Sequence, residues 1–535
     1  MAARGARVVR RRMVRWFAPR QLIATGTKVL LSSIFGTYAD KRELEAALDP
    51  EYDFVDLSQG SEMWVDYVAD TGDGFDSTYS IAWLLSREEL EISGIDTRRG
   101  DLLVMGGDQV YPAASRVDYE DRLVGPYRAA LPSTPEGHSP NLLAVPGNHD
   151  WYDGLTNFLR FFCSEAWIGG WRTRQRRSYF AVKLPHEWWL WGTDIQFDTY
   201  IDKPQMEFFA RMASQAGSQA RVILCTAVPS WAHPESSETW RNLSYFREKM
   251  GELTEAHIAL SLAGDWHHYA RYQVVPGGEH LVTAGGGGAF LYPTHHLPSS
   301  AKPDSSGSQA ELRTIFPDAQ TSRTWSWRVL LLPFRNPSFV PWGGVWYGLF
   351  ELTSRPFQAV DISASLAHSF RSVLFWALLL SSWRVLLGFA RKAGRLAPLL
   401  ATGHLFVHLF GAGGVAWLIV VLRDVIGVHG FLAALMFWFV NLSIGGVLAG
   451  FLLGAYLLFS NLLFGIHDNE TFSAQHSEAF KNFVRLHIGA DGGLTMFSVG
   501  IKDCCNRWED GTTSALDPAE ELRPFLIEAP VSISD

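Results

Sequence analysis

The chain has 535 residues, 47% hydrophobic and 19% charged, a balance that excludes wholesale disorder. At about 150 residues per domain that length allows roughly two to four domains. Lys and Arg total 46 against 55 Asp and Glu, and the net charge of −9 argues against nucleic acid as the main partner. Cys163, Cys225, Cys504 and Cys505 are too few for a disulfide framework and lack the Cys-x-x-Cys spacing of a zinc site.

Within the basic segment 1–50, Arg4, Arg7, Arg10, Arg11, Arg12, Arg15 and Arg20 precede the first acidic residue, Asp40. Val8, Val9, Met13, Val14, Trp16 and Phe17 are interleaved with them. The pattern suits an amphipathic stretch on an anionic membrane surface and equally a basic tail, with a transit peptide as the third alternative. It lacks the continuous apolar run of a secretory signal.

From 51 to 300 short apolar runs alternate with polar, Gly-rich breaks. Strands are expected at 65–69, 102–105, 142–145, 188–191, 222–226 and 258–262, with helical stretches at 77–90 and 205–215. Strands alternating with helices define an α/β layered domain. Pro303, Ser305, Ser306, Gly307 and Ser308 mark an exposed linker, and 301–370 as a whole reads as the approach to a membrane.

Three apolar blocks then follow, at 372–390, 396–422 and 428–466. A membrane helix needs about 20 apolar residues, so 371–466 is expected to hold three or four transmembrane helices. Arg384 interrupts the first block. The third, at about 1.5 Å per residue, would be roughly 58 Å long as one helix, well beyond a hydrocarbon core of about 30 Å. It must therefore project from the bilayer or turn near 441–446. Gly446, Gly450 and Gly454 recur every four residues and permit close helix packing. His404 and His408 share one helical face, as metal ligands, proton carriers or packing residues. Arg391, Lys392 and Arg395 are expected on the cytoplasmic side, as is the N-terminal domain. The tail 467–535 is expected to begin as an amphipathic helix carrying Phe472, Phe480, Phe483 and Leu486, with a strand at 494–501.

Chemistry concentrates at four places where an apolar run ends in Asp, Asn or His. They are Trp64-Val-Asp-Tyr-Val-Ala-Asp70-Thr-Gly-Asp73-Gly-Phe-Asp76, Leu102-Leu-Val-Met-Gly-Gly-Asp108-Gln-Val-Tyr111, Leu142-Leu-Ala-Val-Pro-Gly-Asn148-His149-Asp150 and Ile258-Ala-Leu-Ser-Leu-Ala-Gly-Asp265-Trp-His267-His268. In an open α/β sheet the carboxyl ends of strands converge on the edge where ligands bind. Carboxylate, amide oxygen and imidazole are donors for Mg²⁺, Mn²⁺, Fe or Zn²⁺. Gly107, Gly147 and Gly264, each just before a polar residue, are read as sharp backbone turns.

In order and spacing these motifs resemble the calcineurin-like metallophosphoesterase superfamily over about residues 60–295, with Gly147-Asn148-His149-Asp150 the most distinctive stretch. Trp191-Gly-Thr-Asp194, Asp202-Lys-Pro-Gln205 and the glycines 285–288 look like further family features. The resemblance implies an α/β fold, a β-sandwich flanked by helices with two divalent metal ions at the strand ends. Asp70 and His267 would bind the first ion, Asn148 the second, and Asp108 both. His149 would serve the leaving oxygen, oriented by Asp150. Asp265, also expected as a metal ligand, stands where the family has a histidine, Gly72 follows Asp70-Thr71 where another is expected, and Ala227 occupies a third such place. Asp73 and His233 are the candidate replacements. An oxygen-rich donor set favours Mn²⁺ or Mg²⁺, with Fe or Zn²⁺ as alternatives. The resemblance implies metal-dependent phosphoester hydrolysis, and the bilayer suggests a lipid-linked substrate. Trp151, Tyr152, Trp171 and the arginines of 172–177 suit a lip that receives an anionic substrate, and the arginines equally a solvated loop or a lipid-contacting patch. The alternative is a catalytically weak membrane scaffold or sensor. A transporter is disfavoured, because the apolar blocks hold few ionisable residues.

Overall fold

Alternation of side chains along the strands decides the layering. In β1 (Met63–Val68) Val65 and Tyr67 enter one apolar core while Val68 enters another. In β2 (Leu102–Met105) Leu102 and Val104 face the first core, and Leu103 and Met105 face the second. A period of two with both faces apolar makes a strand covered on both sides. The computed structural model describes residues 8–35, 41–42, 52–134, 139–195, 201–232, 237–354 and 372–533. Two compact units divide the chain: Met1–Val14, Thr25–Ser322 and Ser477–Asp535 belong to the first, Arg15–Ala24 and Arg323–His476 to the second.

The first unit is mixed α/β. After β1 and β2 come β3 (Asn141–Ala144), β4 (Trp171–Thr173), β5 (Phe180–Lys183), β6 (Trp188–Gly192) and β7 (Arg221–Cys225). Then follow β8 (His257–Ala263), β9 (Tyr269–Val274), β10 (His280–Ala284), β11 (Ala310–Phe316), β12 (Lys481–Ile488) and β13 (Leu494–Ile501). One sheet runs β13-β12-β1-β2-β3-β4, and the other β5-β6-β7-β8-β10-β9-β11, each extended by short strands at its margins. β1, β2, β3 and β4 are mutually parallel, as are β6, β7, β8 and β10. Val65, Tyr67, Val104 and Leu143 of one sheet share a core with Leu190, Ile223, Leu262 and Val282 of the other. The two sheets therefore form a sandwich.

Helices cover the outer faces. α1 (Phe75–Ser86) buries Tyr79, Ile81, Ala82 and Leu85 over the β1–β2 sheet. α2 (Lys203–Gln215) starts where the Asp202 carboxylate accepts the Gln205 amide at 3.0 Å, and lays Phe208, Phe209 and Met212 on Trp189, Trp191 and Leu224. α3 (Glu238–Gly251) is capped by Ser237 and adds Leu243 and Phe246 to that layer.

Two sequence boundaries shift. The 301–370 linker contains β11, which pairs with β9. The 467–535 tail is split: only Asp468–Ser473 of its expected amphipathic helix is helical, and Phe483 and Leu486 lie in β12, between β13 and β1. Val484, Leu486 and Ile488 point into the sandwich and Phe483 away from it, so a period of two governs a stretch that also satisfied helical spacing. The strand expected at 494–501 is present as β13.

The second unit is helical: α4 (Val340–Ser354), α5 (Val373–Phe389), α6 (Ala397–Ile426), α7 (Gly430–Val440), α8 (Gly446–Phe464) and α9 (Asp468–Ser473). Among the described residues two stretches are long and apolar enough to cross a membrane, Val373–Ile426 and Gly430–Phe464. The first joins α5 to α6 across a break at Gly394, whose φ is +57°. In the second, a π-helical turn at Asn441–Gly445 carries α7 into α8, so the third apolar block continues as one long helix instead of reversing. Gly450 and Gly454 pack on Val329–Pro333: a Cβ at either would lie 3.0 Å from Pro333 Cβ or 2.6 Å from the Val329 carbonyl oxygen.

Candidate metal centre

The carboxyl ends of β1, β2, β3 and β8 deliver Asp70, Asp108, Asn148 and Asp265 with His267. Backbone bonds lock the first two turns together, Asp70 N–H to the Gly107 carbonyl at 3.0 Å and Thr71 N–H to the Asp108 carbonyl at 3.1 Å. The Asp265 N–H donates to Asp70 Oδ2 at 2.8 Å and ties the ends of the two sheets to each other. Asp70, Asp108 and Asp265 all hold left-handed backbone, at φ +56°, +48° and +64°. Strain of this kind gathers where a site demands a particular direction of the side chain.

Glycines make room there, for two different reasons. Gly107, at φ +118°, needs its conformation. Gly264 instead permits close approach, since a Cβ would stand 2.6 Å from Asp70 Oδ2; Gly285 leaves the same carboxylate room from another side, at 2.5 Å.

Tyr111 occupies the centre. Its hydroxyl lies 2.9 Å from Asp70 Oδ1, 3.1 Å from Asp108 Oδ2 and 3.1 Å from His267 Nε2. His267 Nδ1 faces the Phe290 carbonyl at 2.8 Å. A carbonyl only accepts, so in the neutral ring Nδ1 carries the proton and Nε2 presents its lone pair inward, the arrangement of a metal-binding histidine. His149 is held likewise, Nδ1 to the Pro112 carbonyl at 3.0 Å, while its backbone N–H donates to Asp108 Oδ1 at 2.8 Å.

Like charges crowd this pocket. Burial, then the charges of Asp108 and Asp265, push the Asp70 carboxyl well above the usual range, and burial raises Asp108 to about 7. Burial lowers His149 to about 4 and takes His267 well below its ordinary value. Lys481 of β12 is fully buried with Nζ on the Ala479 carbonyl at 3.0 Å, and burial lowers its pKa against the opposing charges of Glu478, Asp73 and Asp70.

Fit to a metal can be judged from these donors. Neighbouring ligands on an ion with bonds of about 2.1 Å stand roughly 3 Å apart. The Tyr111 oxygen is that far from Asp70, Asp108 and His267, and His267 Nε2 is 3.7 Å from Asp70 Oδ1. Among the described residues no three His, Cys, Asp or Glu side chains converge as on one ion. Asn148 Oδ1 is buried and without a hydrogen-bond partner, an orphaned acceptor beside the His149 amide that holds Asp108. Ala227 offers no donor there: it packs against Gly107, where an added Cβ would meet its own at 3.1 Å.

Several expected roles move. Asp150 does not orient His149; its carboxylate accepts the Gly147 amide at 2.8 Å, the Gln109 amide and the Tyr119 hydroxyl, and so braces the loop. Asp73 accepts the Val14 amide at 2.7 Å and replaces no ligand in this set, and His233 lies outside the described residues. Trp171 is core, Trp151 is buried with its indole N–H on Asp194 at 3.0 Å, and Arg177 is buried over Tyr52 and Tyr179, so these form no open lip. Tyr111 and Lys481 were not assigned roles from sequence. Tyr111 was within reach, three residues after Asp108 in a quoted motif, whereas nothing near Lys481 in the sequence signals its position.

No family model and no curated protein sequence matches the chain. Among solved structures it is similar to GAP50, described as the anchor in the inner membrane complex of Plasmodium, at 12% identity and TM-score 0.34, over 45% of this chain and 76% of that one. It is also similar to the purple acid phosphatase PPD1 from yellow lupin (Lupinus luteus) seeds, at 14% identity and TM-score 0.30, over 48% of each chain. Likeness at this level assigns no activity.

Proposed function

We propose that the first unit is a metal-dependent phosphoester hydrolase of metallophosphoesterase type, attached to a membrane through the apolar helices of the second. The observation that carries this reading is the Tyr111 hydroxyl ringed at 2.9–3.1 Å by Asp70, Asp108 and His267 at converging strand ends. Asp70, Asp108, Tyr111 and His267 hold one divalent ion, and Asp108 with Asn148 a more weakly bound second. Asp265 positions Asp70 through its amide. When bound, such ions lower the pKa of a water nucleophile and neutralise phosphoryl oxygens. The mainly oxygen donor set favours Mn²⁺ or Mg²⁺ over Zn²⁺. His149 acts as a neutral imidazole, its Nδ1–H anchored to the Pro112 carbonyl, so its Nε2 accepts a proton or a hydrogen bond rather than arriving as a cation. The substrate is a phosphoester, with lipid headgroup phosphates as the first class to screen. The first unit faces the cytoplasm in this reading, since segment 1–50 lacks the continuous apolar run of a secretory signal.

The test uses the full chain in detergent with Mn²⁺, assayed on aryl monoesters, diesters and phospholipids. Hydrolysis by the wild type and a loss of at least about 100-fold in Asp108→Asn are expected; full activity in that variant would overturn the assignment. Ala227, which supplies no donor, favours a second reading, a ligand-binding scaffold or sensor. That reading wins if the wild type binds Mn²⁺ and hydrolyses nothing.

A further inference from the structure

The apolar helices of the second unit enclose a group of rings that the hydrolase does not use. His404 and His408 stand one turn apart on α6, and their Nε2 atoms face each other at 3.1 Å. His408 Nδ1 meets the hydroxyl of Tyr347 from α4 at 3.1 Å, and Tyr347 is fully buried. Gly411 keeps room for this contact, since a Cβ there would stand 2.7 Å from that hydroxyl. His404 is 5% exposed and lies flat on Tyr456 of α8, with ring centres 3.9 Å apart and 14° between planes. Three helices thus fix the directions of two imidazoles in surroundings where polar side chains are costly and mark function.

We propose that His404 and His408 chelate a transition-metal ion through their paired Nε2 atoms. With metal–nitrogen bonds of about 2.0–2.1 Å, two nitrogens in adjacent coordination positions lie roughly 2.9–3.4 Å apart for angles from a right angle to tetrahedral. The observed 3.1 Å falls inside that window. In the metal-bound form Nδ1 of His408 carries the proton and donates it to the Tyr347 oxygen, the outer contact that orients such a ligand. Among the described residues no third His, Cys, Asp or Glu joins the pair, so water or a small ligand fills the remaining positions. Two imidazoles select Cu²⁺, Zn²⁺ or Ni²⁺ and reject Mg²⁺ and Mn²⁺. This is the reverse of the preference of the oxygen-rich centre in the first unit, so the two sites separate experimentally.

The test is Cu²⁺ titration of the chelator-stripped full chain in detergent, read by electron paramagnetic resonance. The wild type should take up one Cu²⁺ coupled to two imidazole nitrogens. His404→Gln and His408→Gln should each lose that signal, while Asp108→Asn, altered in the other centre, keeps it. Tyr347→Phe should retain it with affinity about 10-fold weaker. A wild-type spectrum without two-nitrogen coupling, or the same coupling in either histidine variant, means a hydrogen-bonded pair only and overturns the proposal. The wild-type and Asp108→Asn spectra decide the matter if the histidine variants fail to fold.

Discussion

The guanidinium of Arg485 grips both carboxylate oxygens of Asp66, Nε to Oδ1 at 2.7 Å and Nη2 to Oδ2 at 3.0 Å, with both side chains buried. Nη1 reaches Thr97 Oγ1 at 2.8 Å, and Gly100 N–H donates to Asp66 Oδ2 at 3.0 Å, so the charges are hydrogen-bonded as well as paired. This pair fastens β12, encoded after the apolar helices, to β1, encoded before them. Arg485→Met strands a buried carboxylate and should cost about 3–5 kcal/mol, whereas the double change Asp66→Leu with Arg485→Met should recover much of that. Thermal unfolding of the three proteins checks the order. A single variant as stable as the wild type would contradict it.

Tyr111→Phe removes one oxygen and leaves the ring. The loss falls on three partners simultaneously, because the same hydroxyl touches Asp70, Asp108 and His267. Mn²⁺ affinity should fall by at least about 10–100-fold, with phosphoesterase turnover falling alongside. Calorimetric Mn²⁺ titration reads the first and the aryl phosphate assay the second. Unchanged Mn²⁺ binding would remove the phenol from the metal's ligands.

Much of this centre was legible because each motif is local. An apolar run followed by Gly-Asp or Gly-Asn-His states both the strand and the turn that ends it, and Asp70, Asp108, Asn148 and His267 emerge at the ends of β1, β2, β3 and β8 as those runs implied. What depended on tertiary neighbours was hidden. Asp150 sits next to His149 in sequence, yet its carboxylate is taken by the Gly147 and Gln109 amides. Trp171 and Arg177 read as an exposed lip and are buried, because β4 and the segment before β5 pass through the core. The tail defeated its helical reading since Phe480, Phe483 and Leu486 satisfy spacings of three and six, and only the β1 edge decides that Phe483 and Leu486 lie in a strand.

The glycines around Asp70 make a steric prediction separate from the hydrogen bonds. In Gly264→Ala the new methyl stands 2.6 Å from Asp70 Oδ2 and 2.5 Å from Ala69 Cβ; in Gly285→Ala it stands 2.5 Å from the same oxygen. Both changes should displace the carboxylate and lower activity by at least about 10-fold, with a stability loss of about 1–3 kcal/mol from overpacking. Gly277→Ala is the control for added side-chain bulk, since a Cβ there meets nothing within 4 Å, though its φ of +61° carries its own backbone cost. Activity in the Gly264 or Gly285 variant equal to that of the control would show that Asp70 does not need this space.

Asp194 gives the pH prediction. It is fully buried, accepts the Trp151 indole N–H at 3.0 Å, and burial raises its carboxyl to about 6 despite the nearby Arg42 charge. Unfolded, an aspartate titrates near about 3.9. Between these values the folded state binds more protons than the unfolded one, so this group's contribution to stability is fully present below about 4 and declines as pH rises through about 6. Asp194→Asn keeps an oxygen for the indole and cannot ionise. Other titrating groups cancel when the variant is compared with the wild type at each pH. From pH 4 to pH 7 the difference in unfolding free energy should therefore move by about 2–3 kcal/mol in favour of the asparagine variant. Urea unfolding at both pH values measures it. A difference that stays constant, or moves toward the wild type, would mean that Asp194 is ionised throughout and that the Arg42 charge outweighs its burial.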